Sequence, residues 1–328
     1  MQRTLQLTGD RPLADQLAAT FADMMDEARD RARAAVDAPG PALHDYRRAV
    51  RRAEALVSLT APLLRKRSRR LVVDGLARAT RRTRTLRDLD AVLPVLGKLE
   101  AGELGAEDAS ALAALRGFIE AAQAELASSE ITAWRLRKNV RSLAGLEDIL
   151  KVGLHQWVEH DMLLDALRDQ YRETRRRFRA ARDSGRVVDL HAWRKSARTL
   201  RYQLELLASA RDIDAGLGEL HATFERQVKQ LGQVTDLMAL VIIAGDVDAD
   251  VLGIDPGALV DKLEALAEAR ATASFLDAEA LFVIKPKSFA WPAERALPEA
   301  TTAEVATTVA APAAAAPAEV AGTTGTEA

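Results

Sequence analysis

An all-α chain with two pseudo-symmetric helical-bundle halves around a basic central surface is the fold class this sequence predicts. Three observations point to it: apolar residues recur with a 3.6-residue period, β-branched alternation is nearly absent, and a basic helix is repeated internally. Periodic segments punctuated by Pro and Gly predict helices over 12–36, 42–59, 62–86, 107–127, 129–143, 147–183, 189–208, 214–230 and 256–283. Pro41 and Pro62 suit first-turn positions, where a missing N–H costs nothing, and Asp189 suits an N-cap. "LFVIKP" at 281–286 is the one short β-like run. Residues 1–297 are read as one helical domain, with halves at about 10–145 and 146–290. From 298 to 328 the chain is Ala, Thr, Pro and Glu with no cation and few large apolar groups, so a disordered tail is expected there.

Composition excludes several classes. At 48% hydrophobic and 29% charged, the 328 residues can fill a substantial core. No apolar run approaching about 18 residues is evident, so no membrane association is expected. "MQRTLQLTGDRPLADQL" at the N-terminus lacks the apolar centre of a secretory signal. Zero cysteines exclude a disulfide framework, a thiolate metal site and a cysteine nucleophile, and a cytoplasmic location is the expectation.

The formal charge of −2 hides an asymmetry. Residues 41–210 carry 33 Lys plus Arg against 22 Asp plus Glu, and within them 44–87 holds 14 cations and 3 acids, while 172–201 holds 11 and 3. In the second island, "LHAWRKSARTLRYQLELL" at 190–207 places His191, Arg194, Lys195, Arg198 and Arg201 within an arc of roughly 120° of a helix. Trp193, Ala197, Leu200, Leu204 and Leu207 form the opposite, apolar side. One face is thus committed to packing and the other is free for an anion.

The first island repeats the plan. "LHDYRRAVRRAEALVSL" at 43–59 aligns His44, Arg47, Arg48 and Arg51 with His191, Arg194, Lys195 and Arg198, at an offset of 147 residues. Arg52 adds a cation to that arc, with Tyr46, Ala49, Ala53 and Val57 behind it. Each copy continues in parallel: Asp88 of "LRDLDAVL" follows His44 by 44 residues, and Asp236 of "LGQVTDLMAL" follows His191 by 45. Two matched halves would bring two basic helices to face one another or a shared groove.

Paired H-x-x-R-[RK]-x-x-R helices, "RDLD", "LRYQLELL", the "LG…D" segment and "KPKSF" at 285–289 closely resemble the CHAD family, the conserved-histidine α-helical domains, over about residues 10–290. The resemblance implies a two-half helical fold whose basic surface binds inorganic polyphosphate, and a location at polyphosphate granules. Family members often stand beside a CYTH domain, but its E-x-E-x-K motif does not occur here, which implies a stand-alone member. Carried over by position, the family's basic residues fall on His44, Arg47, Arg51 and Arg52 and on His191, Arg194, Arg198, Arg201 and Tyr202. Glu54 stands where the family pattern usually has another arginine.

The chemistry of the residues agrees. Polyphosphate bears about one charge per phosphate and offers no base edges, so closely spaced cations on a rigid frame suffice. Arginine forks can bond two phosphate oxygens at once. The expected polyphosphate-binding set is His44, Arg47, Arg48, Arg51, Arg52, His191, Arg194, Lys195, Arg198, Arg201 and Tyr202, with Arg69, Arg81, Arg175 and Arg179 as outlying extensions. Asp88, Asp90 and Asp236 are expected to orient arginines. The structural alternative is a face that is merely solvated or is paired with acids from elsewhere.

No cofactor, metal or catalytic activity is expected. His155 and His160 in "LHQWVEHDMLL" are five residues apart, about 140° around a helix, where shared metal ligation needs an i,i+4 pair. Nucleic acid is the rival and competing partner, because its backbone suits the same groove. At 4% aromatic residues, however, the chain offers few platforms for base stacking, with only Tyr202 on the basic arc. A granule-surface scaffold using the tail is the third reading.

Overall fold

The computed structural model describes residues 12–155, 160–208 and 216–286. Twelve α-helices follow one another among them: α1 (Leu13–Asp37), α2 (Pro39–Leu59), α3 (Lys66–Arg81), α4 (Arg84–Lys98), α5 (Ala109–Ser128), α6 (Glu130–Leu143), α7 (Leu146–Gly153), α8 (His160–Ser184), α9 (Val187–Ala208), α10 (Gly216–Gly245), α11 (Ala249–Leu252) and α12 (Pro256–Leu281). The fold is all-α, as the periodicity predicts. "LFVIKP" forms no strand within its described residues; α12 ends at Leu281 and Val283 is exposed. The expected tail at 298–328 and most of "KPKSF" lie outside the described residues.

Helices pack in pairs, α1 on α2, α4 on α5, α8 on α9 and α10 on α12. Small side chains permit the first pair to approach closely, since Ala28, Ala32 and Ala35 of α1 and Ala49 and Ala53 of α2 are all buried. Gly185, with φ of 61°, supplies the left-handed residue that turns α8 into α9. Helices α3, α6 and α7 dock on the first pair, with α7 lying against α3 and α1.

One large core joins α1–α3 and α6–α9 with parts of α10 and α12, and a second lies among α4, α5, α11 and other parts of α10 and α12. Trp193 anchors the larger core: it is fully buried, with its ring centroid 5.4 Å from that of Phe275 and 5.1 Å from that of Phe178. Truncating such a side chain costs about 3–5 kcal/mol. The apolar back expected for α9 is therefore the surface on which the molecule is assembled.

Four boundaries differ from expectation, each for a physical reason. The segment 62–86 breaks at Arg82–Thr83, because the last carbonyls of α3 are capped by side chains from elsewhere: Tyr46 Oη and Asn139 Nδ2 donate to Ala79, and Arg47 Nη1 donates to Thr80. Helix α4 then runs to Lys98 despite Pro94. The segment 147–183 divides, since Arg65 N donates to Gly153 O at 2.9 Å and His155 N to Leu63 O at 3.1 Å, which draws the chain after α7 into an extended bridge. A side chain at Gly153 would collide with Ser68. Residues 156–159 of that segment are outside the described residues. Asp189 is not the N-cap, for α9 begins at Val187; it lies in the first turn, accepts from Ser184 Oγ at 2.8 Å and favours the positive end of the helix.

The fourth difference concerns the length and apolarity of α10. Helix α10 continues past residue 230 to Gly245, and Gly218–Gly245, of mean hydropathy 1.3 in its most apolar window, is by length and composition apolar enough to cross a bilayer. Here it packs against α9, α12 and α4, with Phe224, Leu231, Val234, Leu237 and Leu240 buried. Its apolarity is that of a helix touched by neighbours on several sides.

Candidate functional site

Helices α2, α4, α9 and α10 meet at the centre of the molecule: α2 packs on α9 and α4, and α10 packs on the same two. The two basic helices therefore converge, each with its apolar side held by the core. Arg47 is fixed by two bonds of 2.8 Å from Nη1, to Thr80 O and Thr83 Oγ1. Its Nε is buried without a hydrogen-bond partner. The broken end of α3 thus sets the first arginine of the motif.

Around Arg47 the structure gathers cations from three helices. Arg51 is half-buried and forms no hydrogen bond or ion pair among the described residues. Burial lowers its pKa, and Arg87 of α4 adds to the fall. Arg47 is pushed down to about 10 by burial and then by Arg51 and Arg87. Arg194 is lowered by burial, partly restored by Asp236 and lowered again by Arg87 and Arg51. Guanidinium groups of α2, α4 and α9 thus repel one another in a partly desolvated place.

Acids compensate in part. Asp236 lies 3.8 Å from Arg194 and 3.5 Å from Arg87, and Asp88 lies 2.9 Å from Arg87 and 3.4 Å from Arg84. These distances fit the expected orienting task of both aspartates. Burial raises the pKa of Asp236, with Arg194 and Arg87 opposing the rise. Asp90 accepts from Gln123, and its pKa is raised by burial with His44 and Arg87 among the groups that lower it. His191 is exposed, yet desolvation followed by Arg194, Arg84 and Arg87 holds its imidazole below the ordinary value.

Not every expected residue joins this cluster. Arg52 is turned inward, 3.2 Å from Glu205 and 3.8 Å from Glu27, with its side chain 4% exposed. Arg201 is tied to Glu205 at 2.9 Å and Glu225 at 3.1 Å, and its guanidinium lies 4.1 Å from the ring centre of buried Tyr202. Arg52, Arg201 and Tyr202 thus form an internally paired lock between α2 and α9. His44 and Lys195 are exposed, and Arg48 and Arg198 half-buried, on the same two helices. Of the outlying cations, Arg69, Arg81 and Arg179 are exposed, while Arg175 donates Nε to Phe282 O at 2.9 Å.

Three contributors escaped the sequence reading. Arg87 belongs to α4, whose start lies inside a longer predicted helix, although Asp88 beside it aligns with Asp236. Gly232, in "LGQVTD", clears space for a guanidinium, since a Cβ there would lie 3.2 Å from Arg194 Nη2. Glu205 was visible at i+4 from Arg201. Among the described residues no group of three or more His, Asp or Glu could hold a metal ion; His155 is described, but the side chains of His160 and Asp161 are not.

A half-buried cluster with more guanidinium than carboxylate, on a rigid helical frame, can bind an extended anion by charge and forked hydrogen bonds. The family model for the CHAD domain matches residues 10–242. Among solved structures, the chain is similar to the crystal structure of the CHAD domain from the plant Ricinus communis, with a TM-score of 0.65 and 14% identity over 87% of this chain and 96% of that one. No curated protein matches it.

Proposed function

Because this chain belongs to the CHAD family, which is linked to polyphosphate binding in general, we propose that the central basic cluster binds inorganic polyphosphate. The observation that carries the reading is the convergence of Arg47, Arg51, Arg87 and Arg194, with Asp88 and Asp236 set among them as orienting acids and Glu54 nearby. Beyond the effect of burial, neighbouring guanidinium groups lower the pKa of Arg47, Arg51 and Arg194, the mark of mutual repulsion. An anion threaded between the helices removes that repulsion and uses the orphaned Nε groups of Arg47 and Arg194.

In this reading Arg47, Arg51, Arg87 and Arg194 make the central contacts, and His44, Arg48, His191, Lys195 and Arg198 extend them along the two helices. Arg52, Arg201 and Tyr202 fix the helix spacing instead. The protein acts by binding and not by catalysis, in the cytoplasm and at polyphosphate granules. Nucleic acid competes through its phosphates alone.

The test is a titration with long-chain polyphosphate and with single-stranded DNA of matched charge, each at low and physiological salt. Salt-sensitive binding that strongly prefers polyphosphate is expected, and reversing charge at Arg51 and Arg198 together should abolish it with helix content intact. Equal or tighter binding to DNA would overturn the reading in favour of a nucleic-acid protein. Undiminished affinity in the double variant would remove the cluster from the site.

A further inference from the structure

Ten residues after each motif histidine, the two copies of the basic helix carry opposite charges: Arg201 in the second and Glu54 in the first. Glu54 is half-buried and forms no hydrogen bond or ion pair among the described residues. Its carboxylate nonetheless lies within electrostatic range of Arg51 and Arg47 on α2 and of Lys195 on α9. A carboxylate even partly withdrawn from water gains from a bonded partner, and Glu54 forgoes one beside three cations. The other acids that face the basic cluster behave differently: Asp88 and Asp236 pair directly with Arg87, while Glu205 is enclosed by Arg52 and Arg201.

Resting on the polyphosphate reading above, we propose that Glu54 is an affinity-setting residue of this site, whose ionised carboxylate opposes the anionic ligand and whose protonation removes that opposition. Burial raises its pKa, while Arg51, Lys195 and Arg47 pull it back down. A polyanion seated on those cations cancels their pull. The carboxyl then holds a proton at higher pH than in the empty protein, so binding takes up protons. By reciprocity, acidification strengthens binding.

Other groups facing this place have to be separated from Glu54. On α2 these are Arg47 and Arg51; on α9, Lys195, with Tyr202 acting on Arg51; and on α4, Arg87 and Asp88, which also act on Arg51. Arginine and lysine keep their charge between pH 5 and 8. His191 titrates near that range and lies in the same basic neighbourhood. A pH effect in the natural chain therefore contains a histidine contribution, and only the difference between the natural chain and a Glu54 variant isolates the carboxylate.

The experiment compares the natural chain with Glu54→Gln, which keeps the side-chain shape, in binding long-chain polyphosphate at pH 5.0, 6.5 and 8.0 and fixed ionic strength. Circular dichroism verifies the fold, and His191→Gln serves as a second background. The expected result is about three- to tenfold tighter binding by Glu54→Gln at pH 8.0, the size of one nearby charge in a partly screened site. That gap should narrow at pH 5.0, in both backgrounds. Equal affinity of the two chains at every pH, with polyphosphate bound, would overturn this inference and leave the polyphosphate reading standing. No polyphosphate binding by either chain would overturn both.

Discussion

Replacing Arg51 by methionine should stabilise the empty protein while weakening its hold on polyphosphate. The natural side chain is half-buried, has no bonded partner among the described residues, and lies in the field of Arg87 and Arg47. Methionine retains most of the stem's packing and removes the repelled charge. Replacing buried ion pairs by apolar groups is neutral or gains about 1–4 kcal/mol; with solvent reaching part of Arg51, and Glu54 and Asp88 partly offsetting its repulsion, a gain of up to about 1 kcal/mol is expected. In a chain of this size that is roughly a 2 °C rise in Tm. A charge-assisted hydrogen bond contributes about 1.5–3 kcal/mol, so affinity should fall about tenfold to a hundredfold. The slope of log affinity against log salt should flatten by about 0.7, the value of one contact to a flexible polyanion. Thermal melting without ligand and titration at two salt concentrations read these quantities. A Tm that falls by several degrees would show that Arg51 has a structural partner, and an unchanged affinity would refute its place against the ligand.

Further outcomes follow from other residues. Glu205→Gln should lower stability by about 1–3 kcal/mol, because it removes the carboxylate shared by Arg52 and Arg201 while Glu27 and Glu225 remain beside them; denaturant unfolding measures this, and an unchanged stability would refute the lock. Gly232→Ala places a Cβ 3.2 Å from Arg194 Nη2 and should weaken polyphosphate binding severalfold at a stability change under about 1 kcal/mol, whereas equal affinity would show that the position of Arg194 is immaterial to the ligand. His191 should titrate below the usual imidazole value in the empty protein and rise when polyphosphate is added, as followed by NMR. The sign is fixed by linkage: with its folded pKa lowered, His191 leaves stability intact above the unfolded value near 6.5 and removes some as pH falls through that value, a loss that the bound anion relieves. An unchanged pKa on addition of ligand would place His191 away from the anion.

The fold could be read from the sequence wherever packing follows local periodicity. Trp193, Ala197, Leu200, Leu204 and Leu207 share one helical face, and each is buried. The break at Arg82–Thr83 could not be read in this way, because its cause lies outside the segment: Tyr46, Arg47 and Asn139 reach across to the carbonyls of Ala79 and Thr80. The C-terminal half of α10 was hidden for the opposite reason. Its lining by several helices leaves no polar stripe, and a continuous apolar run carries no period to recognise.

The site divides along the same line between local and distant causes. The internal repeat predicts two basic helices of one plan; α2 packs on α9, and Arg51 lies within electrostatic range of Arg194. Arg52 and Arg201 also lie within the basic arcs, but a helical arc reports direction from the axis and says nothing of what the neighbouring helix presents. Glu27 and Glu225 arrive from α1 and α10, far away in sequence, and with Glu205 they turn two apparent ligand residues into a spacer. The two sets of arginines thus differ in how completely the fold compensates them. Arg52 and Arg201, each set between two carboxylates, tie α2 and α9 to their neighbours, whereas among the described residues Arg51 has no ion pair and Arg47 is held by neutral oxygens alone.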